Sequence, residues 1–165
     1  GSQEGIDMSQ KTDHELGLKP ILFSPELIPI AQVKPGHRRQ LVDSLGVCAL
    51  PSSWEGSLQM NIDFLNAVTE FNLSKDEALE IGERIVNLLR VFNIRNGLTV
   101  EDDSFSPRLG QAPTEGPGEG KTLLPHLAKV LKEYYKLIGW DEESGRPLPQ
   151  TLERLDLGYA IREVK

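Results

Sequence analysis

The chain has 165 residues, of which 38% are hydrophobic, and a formal net charge of −7. This length suits one domain with a substantial core, whereas the negative charge argues against nucleic acid or an anionic membrane as partner. There is no signal-peptide pattern and no apolar run near the ~18–20 residues that a bilayer span needs. A single cysteine excludes an internal disulfide framework, so a reducing cytoplasm is the expected location.

The first part of the chain predicts little regular structure. Residues 1–2, Gly-Ser, are typical of a scar left by a cloning vector. Residues 3–36 contain four prolines and weak periodicity, which predicts an irregular lead-in or an extended wrap. Residues 37–45 predict a short helix with Leu41, Val42 and Leu45 on one side, and the basic triplet at 37–39 is expected to be a solvated face.

The end of this short helix carries the first chemically interesting pair, Asp43 and Cys48. On an unbroken helix the two side chains would lie about 140° apart around the axis. Gly46 provides a way to turn the chain back, because glycine readily adopts a positive φ just past a helix end. The alternative interpretation is that Cys48 is a small buried apolar residue, and one thiol alone does not make a metal site, which needs about four ligands.

Two further helices precede the middle of the chain. The first, over residues 58–71, has Ile62, Leu65, Val68 and Phe71 in a rough stripe. The second begins at a capping box, Ser74-Lys75-Asp76-Glu77, and ends near Arg95 and Gly97. Apolar residues recur along this helix of about 20 residues at helical spacing: Ala78, Ile81, Gly82, Ile85, Leu88, Leu89 and Phe92.

The Gly- and Pro-rich segment 109–121 ends in Lys121 and is followed by Thr122, and we reject a phosphate-loop interpretation. The pattern requires glycine where Glu115 stands, and no apolar strand precedes it. Residues 122–137 predict another helix with Leu123, Leu127, Val130, Leu131 and Tyr134 inward. The aromatic cluster of Tyr134, Tyr135 and Trp140 is expected to pack on the core rather than to form a ligand platform.

Several of these segments resemble one family. Residues 43–48, Asp-Ser-Leu-Gly-Val-Cys, resemble the Asp-x-x-Gly-(Leu/Ile/Val)-Cys signature of the aldehyde ferredoxin oxidoreductase family. Residues 83–97 are similar to its Arg-Ile-x-Asn-Leu-x-Arg-x-Phe-Asn-x-Arg-Glu-Gly run, with Asn96 in place of glutamate. Weaker similarities follow at residues 102–108, 134–141 and 145–158. Charged residues in this region are expected to brace a loop rather than to do chemistry.

The resemblance implies an all-α fold, an irregular multi-helix bundle of about five helices with long Pro/Gly-rich loops, at residues 37–165. In this family two helical domains follow a β-rich pterin-binding domain, and this chain is similar to the last of these pieces. The implied activity is oxidation of aldehydes to carboxylic acids, with a tungsten- or molybdenum-pterin and a 4Fe-4S cluster that passes electrons to ferredoxin. By resemblance, Asp43 contacts the pterin and Cys48 is the last of four cluster ligands. His14 is a weaker catalytic candidate, in an Asp-His pair that some members of the family carry.

The resemblance also implies that the chain is a C-terminal piece of a longer enzyme, with the other three cysteines upstream. We therefore expect the isolated chain to be inactive and to bind neither cluster nor pterin. Two alternatives stay open. One is a family member with different chemistry, such as an acyl-CoA reductase, and the other is a free-standing helical interaction module without a cofactor.

Overall fold

A computed structural model describes residues 24–48, 56–108, 110–116 and 118–164. Within these ranges the chain forms five α-helices and no strand, with one isolated β-bridge between Trp140 and Pro147. This confirms the predicted all-α fold. The α-helices are α1 (Ile28–Ser44), α2 (Ser57–Thr69), α3 (Lys75–Arg95), α4 (Leu127–Ile138) and α5 (Pro149–Arg154). Short 3₁₀ helices cover Val100–Asp102, Leu124–His126 and Gly158–Val164.

Helix α1 is longer than the sequence predicts. It begins at Ile28 instead of His37, so the irregular lead-in expected over residues 3–36 is wrong for residues 28–36. Pro29 lies in the first turn, where its missing N–H removes no helical hydrogen bond. Pro35 lies inside the helix, where proline has the lowest helix propensity. It is tolerated because tertiary packing stabilises α1.

The closest helix contact is that between α1 and α3. A Cβ added at Gly82 of α3 would overlap the backbone carbonyl of His37, with the carbonyl carbon 2.6 Å away. Only glycine lets the two backbones approach this closely. The apolar residues around this contact form the first core cluster, made of Leu41, Leu58, Ile62, Ala78 and Leu79.

The expected solvated basic face at residues 37–39 is wrong for two of its three residues. His37 and Arg38 are each only 7% exposed, whereas Arg39 is exposed. Arg38 Nη2 donates a hydrogen bond of 2.5 Å to Ser57 Oγ at the start of α2. Burial of α1 against both α2 and α3 therefore covers side chains that the short predicted helix left in solvent.

Helix α3 carries the predicted capping box and ends as predicted. Ser74 Oγ accepts from the Glu77 amide at 3.3 Å, and Glu77 Oε2 accepts from the Ser74 amide at 2.8 Å. Arg95 lies in the last turn, and Gly97 follows with φ of 95°. Beyond its midpoint α3 contacts a second core cluster of Val91, Leu152, Leu155, Leu157, Ala160 and Val164.

Two predicted apolar stripes are buried over only part of their length. Of the four residues predicted for the first stripe only Ile62 is buried; Val68 is 79% exposed, and Phe71, which follows the end of α2 at Thr69, is 66% exposed. On α3 the predicted stripe is buried at Ala78 and Gly82 but exposed at Leu88, Leu89 and Phe92. Periodicity located the apolar faces of both helices, but the described residues do not cover them along their whole length.

Helix α4 begins at Leu127, after a 3₁₀ turn, and not at Thr122 as predicted. The buried residues of α4 are Val130, Tyr135 and Ile138. Tyr135, Ile138 and Trp140 form a third core cluster with Tyr134 packed against it. The prediction that the aromatic cluster belongs to the core is therefore confirmed.

Candidate cofactor-contact site

Asp43 lies in the last turn of α1 and is partly exposed. Its Oδ2 atom accepts a hydrogen bond of 3.0 Å from Arg39 Nε, one turn earlier on the same helix. The side chain of Arg39 is 58% exposed and that of Asp43 is 44% exposed. This leaves Asp43 Oδ1 without a protein partner in the described part of the chain, at a helix end that faces solvent.

The chain turns directly after this carboxylate, as the sequence predicts. The amide of Leu45 donates to the carbonyl oxygens of Leu41 and Val42, and the amide of Gly46 donates to the Asp43 carbonyl oxygen at 3.2 Å. Gly46 adopts a left-handed conformation with φ of 69°, which favours glycine because it has no Cβ. Asp43 and Cys48 are thus placed on either side of one turn.

Cys48 is exposed. The alternative that it is a small buried apolar residue is therefore wrong. Val47 beside it is 42% exposed, so this short loop presents a thiol and an apolar side chain to the surface. An exposed thiol after a tight turn is sterically accessible to a ligand or a metal centre that approaches from outside this chain.

The Asp43 and Cys48 side chains at this turn supply some of the contacts that the implied cofactors need. A thiolate is a soft ligand suited to iron, and a carboxylate oxygen accepts hydrogen bonds from ring N–H donors of a pterin. Within the described ranges, no three His, Cys, Asp or Glu side chains lie close enough together to hold a metal ion. The 165 residues contain one cysteine, so they supply one corner of a four-ligand cluster site.

A second polar centre lies between α3, α4 and the loops that follow them. Arg90 forms a bidentate pair with Asp103, with Nη1–Oδ1 and Nη2–Oδ2 distances of 2.9 and 2.6 Å. Arg90 Nε donates to the Gly145 carbonyl oxygen at 2.9 Å. The Tyr135 hydroxyl donates to Asp103 Oδ2 at 2.5 Å. We call these four residues, Arg90, Asp103, Tyr135 and Gly145, the arginine clamp.

The surroundings of the arginine clamp show that it is structural. Arg90 Cζ lies 4.8 Å from the Trp140 ring centroid and 5.8 Å from that of Tyr135, and both rings are buried. Trp140 Nε1 donates to Asn87 Oδ1 at 2.8 Å. Burial raises the pKa of Tyr135 strongly, and the hydrogen bond to Asp103 adds to this rise, so the hydroxyl stays protonated as a donor. This agrees with the expectation that charged residues here brace a loop.

Sequence reasoning missed two features of this second centre. Asn87 and Arg90 lie on the buried side of α3, although both are polar and neither belongs to the apolar stripe. Asn87 is fully satisfied, since its Nδ2 also donates to the Glu83 carbonyl oxygen at 3.0 Å. The available signal was their position in the family-like run at residues 83–97, combined with the rule that a buried polar side chain needs a partner.

His37 is a buried imidazole that the sequence analysis placed in solvent. Its Nε2 atom has no hydrogen-bond partner among the described residues. Burial lowers the pKa of His37, an effect that the Glu83 carboxylate opposes and the Arg154 guanidinium reinforces. Glu83 and Arg154 themselves form an ion pair between α3 and α5. A neutral His37 therefore belongs to the contact between α1 and α3.

The remaining candidates from the sequence give no site. His14 lies outside the described residues. In the Gly- and Pro-rich segment, the amides of Glu119, Gly120 and Lys121 donate to carbonyl oxygens of the same segment at 3.0 Å each. These amides are not free to bind a phosphate, which supports rejecting the phosphate-loop interpretation. Among the helices of the described ranges, none combines the length and apolar content that a bilayer crossing requires.

The chain is similar to known proteins over most of its length. The family model for aldehyde ferredoxin oxidoreductase, domains 2 and 3, matches residues 29–157. The tungsten-containing aldehyde ferredoxin oxidoreductase of Pyrococcus furiosus is 37% identical over 119 residues, which cover 71% of this chain and 19% of that protein. Its counterpart in Thermococcus kodakarensis is 36% identical over 115 residues, or 68% of this chain and 18% of that protein.

A relative with another name is similar to the same degree. The WOR-like subunit of an aliphatic sulfonate oxidoreductase from Pyrococcus furiosus is 39% identical over 111 residues, covering 63% of this chain and 18% of that protein. The chain thus spans about a fifth of the length of these relatives.

A solved structure shares the fold. The active site complex BamBC of benzoyl coenzyme A reductase, in complex with 1,5-dienoyl-CoA, superposes with a TM-score of 0.70 at 24% identity. The superposition covers 87% of this chain and 21% of that one. Because the family match spans most of the chain, this protein belongs to the aldehyde ferredoxin oxidoreductase family, within the region that the model for domains 2 and 3 describes.

Proposed function

We propose that this chain is the C-terminal part of an enzyme that oxidises aldehydes to carboxylic acids and passes the electrons through a 4Fe-4S cluster to ferredoxin. Family membership and the names of the relatives support an oxidoreductase of this kind. The observation that carries the proposal is the exposed Cys48 that follows the Gly46 turn beside Asp43.

Each of these residues has one role in the proposal. Cys48 is the last of four ligands to the cluster, and the other three cysteines lie upstream of this chain. Asp43 Oδ1 accepts a hydrogen bond from the ring of a tungsten- or molybdenum-pterin, while Oδ2 is held by Arg39. The pterin-bound metal, when present, supplies the redox chemistry, and the protein holds and orients it.

The exposed apolar residues of α2 and α3 fit a chain that packs against the rest of a larger enzyme. Val68 on α2, Phe71 just after it and Phe92 on α3 are each at least 60% exposed. Apolar surface of this kind marks an interaction site. In the proposal the upstream domains cover it, ferredoxin binds the assembled enzyme, the enzyme works in the cytoplasm, and the 165 residues alone are inactive.

Aldehyde is the proposed substrate class because relatives in two organisms carry that name. One relative is named for aliphatic sulfonates, and the fold is similar to that in a benzoyl coenzyme A reductase complex. Sulfonates and acyl-CoA compounds are therefore the two alternative substrate classes. The fold likeness, at 24% identity, does not favour acyl-CoA reduction over aldehyde oxidation. Assay of the full-length protein with an aldehyde, an alkanesulfonate and an aromatic acyl-CoA separates the three.

The test of the proposed site is the substitution Cys48→Ala in the full-length protein, with Val47→Ala in the same loop as the matched control. Loss of a thiolate ligand should lower iron per chain and the cluster absorbance, because alanine offers no donor. Val47→Ala should retain both. Asp43→Asn keeps the shape but removes the charge, so it should lower pterin content and leave iron unchanged.

Two results would contradict the proposed roles of these residues. A Cys48→Ala variant with full iron content and full activity would show that Cys48 is not a cluster ligand and that the proposed role of this turn is wrong. The 165-residue chain treated with iron and sulfide should form no stable cluster, because it brings one thiol. A stoichiometric and stable cluster on the monomer would contradict the assignment of the other ligands to upstream segments.

A further inference from the structure

The proposed contact of Asp43 with a pterin leaves open what holds this carboxylate in place. Asp43 lies in the last turn of a helix that ends at Ser44, where side chains are less restrained than in a helix interior. Arg39 is one turn earlier, and its Nε atom donates to Asp43 Oδ2 at 3.0 Å. Arg39 is the side chain that pairs with Asp43 within the described ranges.

The two carboxylate oxygens of Asp43 have different roles in this pair. One oxygen accepts a single charge-assisted hydrogen bond from the guanidinium Nε, which restricts rotation of the carboxylate. The other is left to accept a hydrogen bond from outside. In the isolated chain such an exposed ion pair contributes little stability. A covering domain that removes water from the pair would strengthen the same contact.

We propose that Arg39 is a positioning residue for the cofactor contact at Asp43, an inference that depends on the function proposed above. Arg39 acts through Asp43: it fixes the carboxylate so that Oδ1 is presented to a ring N–H of the pterin. Arg38, its neighbour in sequence, is buried and donates to Ser57 instead. Two adjacent arginines therefore have different tasks, one in the core and one at the cofactor contact.

The experiment uses the full-length protein with Arg39→Met, Arg39→Lys and Asp43→Asn, and with the double variant Arg39→Met/Asp43→Asn. The control is Arg95→Met, because Arg95 is also an exposed helical arginine with an ion-pair partner, Glu163. Pterin and tungsten or molybdenum per chain, iron per chain, and the thermal midpoint are measured for each variant. Released pterin is quantified by its fluorescence after oxidation, so no measurement depends on turnover.

Arg39→Met should lower pterin retention roughly two- to fivefold, the range that one exposed ion pair supports, at unchanged iron content and unchanged thermal midpoint. Arg39→Lys should recover part of this loss, and the double variant should lose no more than Asp43→Asn alone, because the two residues act as one unit. Arg95→Met should match the parent protein.

Three other outcomes would overturn the inference in distinguishable ways. If Asp43→Asn loses pterin and Arg39→Met does not, Arg39 has no positioning role while the proposed function stands. If neither variant loses pterin, the cofactor contact at Asp43 is wrong and the inference falls with it. An additive loss in the double variant would show that Arg39 acts independently of Asp43.

Discussion

The two halves of helix α3 carry one apolar stripe but form their contacts in different ways. In the first half Ala78, Leu79 and Gly82 are buried, and the contact with α1 is made by small side chains and backbone. In the second half the buried residues include Asn87 and Arg90, while Leu88 and Phe92 on the apolar stripe are exposed. A close helix contact thus fixes one end, and a polar clamp fixes the other.

This difference shows that the amphipathic pattern of a helix does not indicate which part of its apolar face other elements bury. The first half of α3 meets α1 along the face that periodicity marks. In the second half, the buried residues face the loop at 139–148 and the 3₁₀ helix Gly158–Val164. The apolar stripe there is exposed among the described residues, and the side toward the core combines the hydrogen bonds of the arginine clamp with apolar packing at Val91.

The largest expected effect is that of Gly82→Ala at the contact between α1 and α3. The new Cβ would overlap the His37 carbonyl group, which is backbone and not free to move aside. We expect the free energy of unfolding to fall by more than about 4 kcal/mol, or the chain to fail to fold. Chemical denaturation followed by circular dichroism measures this.

The matched control for Gly82→Ala is Gly36→Ala, in the middle of α1, where an added Cβ meets nothing within 4 Å. It should stabilise the chain by about 0.5–1 kcal/mol, because alanine has the higher helix propensity. Equal effects at both glycines would contradict the close approach of the two helices.

Arg90→Met should give the next largest effect, at the other end of α3. It removes the cation that faces Asp103 and leaves a carboxylate, 21% exposed in its side chain, without its partner. We expect a loss of about 3 kcal/mol in the free energy of unfolding, since breaking a buried pair leaves an uncompensated charge. The Trp140 fluorescence spectrum should shift as the cation leaves the ring.

A cycle with Arg90→Met, Asp103→Asn and the double variant isolates the pair. A double variant that is less destabilised than the sum of the singles would confirm the coupling. Additive losses would show that the arginine clamp acts through packing of Arg90 on the rings and not through Asp103.

We expect a smaller effect of pH on the free energy of unfolding, through His37 at the contact between α1 and α3. Burial lowers the pKa of His37 in the folded chain, so below the ordinary value of about 6.5 the unfolded chain binds more protons than the folded one. Stability should therefore fall as pH drops from about 6.5 toward the folded pKa, by at most about 1.4 kcal/mol per pH unit.

Denaturation midpoints between pH 7 and pH 5 measure this slope, which other titrating groups also influence. His37→Gln should flatten it, whereas His126→Gln, at an exposed position, should not. An identical slope in the parent chain and in His37→Gln would show that His37 contributes nothing to the acid sensitivity of this contact.

The smallest effect is expected on the exposed part of the α3 stripe. Leu88→Gln and Phe92→Gln change side chains that are 41% and 60% exposed, so the isolated chain should change by less than about 0.5 kcal/mol. In the full-length protein the same changes should destabilise the assembly, if upstream domains cover this surface. A large loss in the isolated chain would show that the stripe is buried after all.

Much of the local structure could be predicted from the sequence because it depends on neighbouring residues. The capping box at Ser74 and the glycine stops at Gly46 and Gly97 are short-range backbone chemistry. The all-α class and the aromatic core residues followed from helical periodicity and composition. The start of α1 was not predictable in this way, because Pro35 inside the helix contradicts local propensity and packing against α3 and α4 offsets this.

By itself the sequence determined the all-α class, the capping box of α3, the glycine turns after α1 and α3, the family and the candidate pair Asp43 and Cys48. Only the tertiary structure decided that His37 and Arg38 are buried, that Cys48 is exposed, and that Arg90 reaches Asp103 and Gly145 across the core. The physical reason is that caps and turns involve residues three or four apart, whereas burial and buried ion pairs depend on residues tens of positions apart meeting in space. Which face of a helix is covered is settled by those distant partners.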